Sequence, residues 1–92
     1  GALHFNEPDM ERFPCLRLSY EAIRKGGNMP CVLNAAGEIT NLAFREGRIK
    51  FTDIPRLIER AMHEADFIAQ PTLEDLFATD DAVRKLTSGY IH

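Results

Sequence analysis

Ninety-two residues and a mass of 10.4 kDa leave room for one small domain. With 45% hydrophobic and 27% charged residues the composition is that of a globular chain, and no apolar run approaches the ~20 residues of a membrane-spanning helix. A net charge of −3 leaves no excess of basic side chains to neutralise phosphates, so neither nucleic acid nor membrane is expected as a partner.

The opening residues, Gly1 to Glu7, lack the charged and apolar regions of a signal peptide, and a cytoplasmic setting is expected. Leu3 and Phe5 alternate with His4 and Asn6 up to Pro8, which reads as a short extended linker over residues 1–9. The remainder, 10–92, reads as a helical bundle. A first helix over about 10–25 has Pro14 in its first turn, an apolar stripe containing Cys15, Leu16, Leu18, Ala22 and Ile23, and Gly26-Gly27 as its stop. A second, over about 29–46, follows Asn28 as a candidate cap and carries Val32, Leu33, Ala36, Ile39, Ala43 and Phe44. Gly37 in its interior costs about 1 kcal/mol against Ala. Thr52 is positioned to cap a third helix over about 53–67, with Ile54, Leu57, Ile58, Ala61 and Met62 at helical spacing. Thr72-Leu73-Glu74-Asp75 opens a short fourth helix over about 72–78, with Leu73, Leu76 and Phe77 as its apolar face. Thr79-Asp80-Asp81 reads as the cap of a fifth over about 80–88. The expected class is all-α, a small bundle of four to five helices, with no alternating apolar runs long enough for a sheet.

The chemistry-bearing residues are scattered. Glu59 and His63 share a helical face at i,i+4, but HExxH is absent and no third ligand is evident. His4 and His92 lie near the termini. Cys15 and Cys31 have neither CxxC nor metal-ligand spacing and read as reduced core residues. A disulfide between neighbouring helices is the alternative, which distances decide. Ser19 and Ser88 lack a nucleophile signature, and the pairs Glu74-Asp75 and Asp80-Asp81 suit helix N-termini. Gly26-Gly27 and Gly47 lack the strand-before, helix-after context of a phosphate loop. Arg45, Arg48 and Lys50, beside Phe44 and Phe51, form a small basic cluster that reads as a solvated edge. Asn34, flanked by small and apolar residues, reads as a buried structural asparagine. No catalytic, metal-binding or cofactor-binding residue is assigned.

Four strings in order, Leu3-His4-Phe5-Asn6-Glu7-Pro8-Asp9, Arg12-Phe13-Pro14-Cys15-Leu16-Arg17-Leu18, Val32-Leu33-Asn34-Ala35-Ala36-Gly37-Glu38 and Phe51-Thr52-Asp53-Ile54, resemble the carboxy-terminal helical domain of the 1-deoxy-D-xylulose 5-phosphate reductoisomerase family. The resemblance runs through nearly the whole chain. It departs at Gly37, where the family usually has a second Asn in Asn-Ala-Ala-Asn-Glu. It implies a support domain of a homodimeric enzyme of the non-mevalonate isoprenoid pathway that uses NADPH and Mg²⁺ or Mn²⁺. The implied partners are the dinucleotide-binding and catalytic domains of the same chain. The family's metal-binding, phosphate-binding and catalytic motifs belong to the central region and do not occur here, so no cofactor is expected on this domain. A free-standing helical interaction module without catalytic activity is the alternative reading.

Overall fold

Apolar side chains recurring every three or four residues need a partner surface, and here the helices supply one another with it. The structure, a computed structural model, describes residues 12–92, so the linker expected over 1–9, with Leu3, His4 and Phe5, lies outside the described residues. Among the described residues there are four helices and no strand: α1 (Pro14–Lys25), α2 (Met29–Arg45), α3 (Asp53–Glu64) and α4 (Leu73–Gly89). The all-α bundle expected from the periodicity is therefore what forms. Helix α2 is central and touches each of the other three. Its buried side chains are mostly small, Ala35, Ala36, Thr40 and Ala43 beside Met29 and Val32, which lets the neighbouring helices approach closely. Leu18 and Ala22 of α1, Ile54, Ile58 and Ala61 of α3, and Val83 of α4 complete the core.

The turn between α1 and α2 depends on Gly27. Its φ of +58° favours glycine, and a Cβ there would lie 2.2 Å from the Ile68 carbonyl oxygen. The loop after α3 thus presses directly on this turn. The Asn28 N–H donates to the same Ile68 carbonyl at 2.9 Å.

Several sequence expectations need correction. The two C-terminal helices expected at 72–78 and 80–88 are one continuous helix, α4. A capping box opens it at Thr72, whose hydroxyl accepts from Asp75 N–H at 3.1 Å while the Asp75 carboxylate accepts from Thr72 N–H at 2.9 Å. Thr79, which reads as a second cap, is buried inside that helix and accepts a hydrogen bond from the Asn28 side chain. Asp80 and Asp81, read as part of that cap, instead each pair with a cation one turn on, Arg84 and Lys85 respectively. Helix α3 ends at Glu64 rather than 67, since Ala65 is extended with ψ 147°. Thr52 makes no capping bond. The Asp53 carboxylate accepts from Lys50 N–H at 2.8 Å instead, and this bond foremost holds its carboxyl below the usual range, with Arg56 adding to the effect.

The buried asparagine is Asn28, not Asn34. Asn34 is exposed on α2, whereas Asn28 is fully buried. The Asn28 side chain makes no bond to its own helix N-terminus. Its Nδ2 donates to the Asp66 carbonyl at 2.9 Å and to Thr79 Oγ1 at 3.0 Å, and its Oδ1 accepts from Ile68 N–H at 2.8 Å. One amide therefore ties the start of α2 to the loop after α3 and to the middle of α4.

Candidate functional site

The apolar stripes predicted for α1 and α4 are only half used inside the bundle. Leu18 and Ala22 are buried, but Ile23 is 71% exposed and Leu16 and Phe13 are exposed beside it. Leu42 of α2 and Phe51, 70% exposed, are open as well. These five side chains line one concave face, walled by α1, the middle of α2 and the start of α3. The concavity measures about 1590 Å³, above the ~300–1,000 Å³ of a small-molecule pocket. Asn34, Gly37 and Asn41 of α2 contribute a shallower polar strip. Three arginines, Arg12, Arg45 and Arg84, and one glutamate, Glu38, stand around it, and Arg84 pairs with both Glu38 and Asp80. Leu73 and Phe77, expected to pack inward from α4, form a smaller exposed pair one turn apart.

The candidate chemical residues do not converge. Glu59 engages Arg17 at 3.2 Å, and His63 and His92 are exposed. Among the described residues no group of three or more His, Cys, Asp or Glu comes together to hold a metal ion. Cys15 and Cys31 are free thiols. Cys15 is exposed on the concave face rather than in the core. Cys31 is half-buried, its Sγ 3.4 Å from the Leu76 carbonyl, and burial raises its thiol pKa. The basic cluster divides: Arg45 lines the concave face while Arg48 turns to Glu46 at 3.7 Å. Phe44 and Phe51 meet edge to face with centroids 5.6 Å apart.

One polar cluster escapes sequence reading altogether. Tyr90, just beyond α4, donates to Glu64 at the end of α3 at 2.5 Å, and the Arg60 guanidinium lies 4.0 Å over its ring. Arg60 also pairs with Glu64 at 3.3 Å. Burial, then the Glu64 carboxylate, pushes the Tyr90 phenol up to about 12. Arg60 and Glu64 stand at i,i+4, but Tyr90 lies 26 residues from Glu64, beyond the reach of any local pattern. Asn28 was visible as a cap but not as a hub, because its partners lie 38 to 51 residues away.

The profile of the family described as DXP reductoisomerase C-terminal domain matches residues 1–86. The chain belongs to that family. The 1-deoxy-D-xylulose 5-phosphate reductoisomerase of Nitrosomonas eutropha is 53% identical over 83 residues, 90% of this chain and 20% of that protein. That of Laribacter hongkongensis is 47% identical over 85 residues, 92% of this chain and 22% of its own length. Among solved structures, the Zymomonas mobilis reductoisomerase in complex with NADPH superposes with a TM-score of 0.83 at 41% identity, covering 95% of this chain and 23% of that one. As a member of the reductoisomerase C-terminal domain family, the chain spans about a fifth of the length of the relatives it matches.

Proposed function

We propose that these 92 residues are the carboxy-terminal helical support domain of a 1-deoxy-D-xylulose 5-phosphate reductoisomerase. The enzyme would rearrange and reduce its substrate to 2-C-methyl-D-erythritol 4-phosphate in isoprenoid biosynthesis. One observation carries the reading: similarity extends over nine-tenths or more of this chain yet over only about a fifth of each relative. The Zymomonas mobilis relative binds NADPH as a whole enzyme, and NADPH, with Mg²⁺ or Mn²⁺, is assigned here to the intact protein. The domain itself supplies no catalytic, metal or cofactor residue in this reading. Residues 1–9 would lead in from the catalytic domain, residues 10–92 would form the domain proper, and the intact enzyme would be a cytoplasmic homodimer.

The test is calorimetric and enzymatic. The 92-residue chain should give no heat of NADPH binding and no substrate-dependent NADPH oxidation with Mg²⁺ or Mn²⁺ present. Micromolar NADPH binding by the chain alone would overturn the assignment of the cofactor to the rest of the enzyme.

A further inference from the structure

We draw no further inference here: the strongest candidate, the exposed apolar patch that Leu73 and Phe77 form one turn apart on α4, carries nothing because nothing in the structure shows what covers it.

Discussion

The side-chain amide of Asn28 uses both its oxygen and its nitrogen on groups from two other stretches of chain, the Asp66 carbonyl and Ile68 N–H after α3 and the Thr79 hydroxyl within α4. Truncating it strands three polar groups in a site where the asparagine itself is fully buried. An unsatisfied buried group costs about 1–3 kcal/mol, so Asn28→Ala is expected to lower stability by about 2–4 kcal/mol after partial rehydration of the loop. Asn34→Ala is the contrast. Asn34 is exposed on a helix, and exchange for the better helix former should leave stability unchanged or raise it by about 0.5 kcal/mol. Urea midpoints of the two variants decide between the asparagines, and equal effects would contradict the bonding described. Gly37 poses a separate question at the same scale. A Cβ there meets nothing within 4 Å, so Gly37→Ala should bring only the propensity gain of about 1 kcal/mol, a rise in melting temperature of about 4–8 °C. A lower melting temperature would mean that a neighbouring element closes on that face.

At the scale of the element, α4 shows what the sequence makes legible and what it hides. Its true start was readable because Thr72 and Asp75 carry the reciprocal capping pattern within four residues. Thr72→Ala should therefore destabilise the chain by about 1 kcal/mol and fray the first turn, seen as faster amide exchange around residues 73–76. Exchange unchanged in that turn would mean the cap contributes nothing. The false break at Thr79 arose from the same kind of local pattern. A threonine followed by two aspartates suits a helix start, yet here Thr79 is the buried acceptor for an asparagine 51 residues away and the aspartates hold Arg84 and Lys85. Local chemistry cannot tell a cap from a tertiary hydrogen bond when both use the same hydroxyl. Helix α2 was legible almost to the residue because its apolar positions face the core on nearly every turn. The stripes of α1 and α4 were over-read for the converse reason. Periodicity marks an apolar face without saying whether that face is covered inside the bundle, and Ile23, Leu73 and Phe77 are not.

Across the whole molecule, the far ends of α3 and α4 are joined by Tyr90, Glu64 and Arg60, and this junction makes stability depend on pH in a defined direction. The Tyr90 phenol, ordinarily near 10.0, is pushed up to about 12 by burial and by the Glu64 carboxylate facing its oxygen. The folded chain therefore holds that proton after the unfolded chain has released it. Its contribution is fully present below pH 10 and is lost as pH rises towards 12. Glu64 acts in the opposite sense: the Tyr90 hydroxyl foremost, with Arg60, holds its carboxyl below the ordinary value of 4.5. Its contribution is present above pH 4.5 and is lost as pH falls through the lower folded value. Tyr90→Phe removes the hydrogen bond at both ends while keeping the ring under Arg60. The variant should be less stable than the parent near neutral pH, and the difference should shrink above pH 10 and again below pH 4.5. Urea midpoints of parent and variant measured across that range report the difference directly, because every other titrating group is common to both. A difference that stays constant from pH 4 to 12 would show that the three side chains do not act as one ionic junction between α3 and α4.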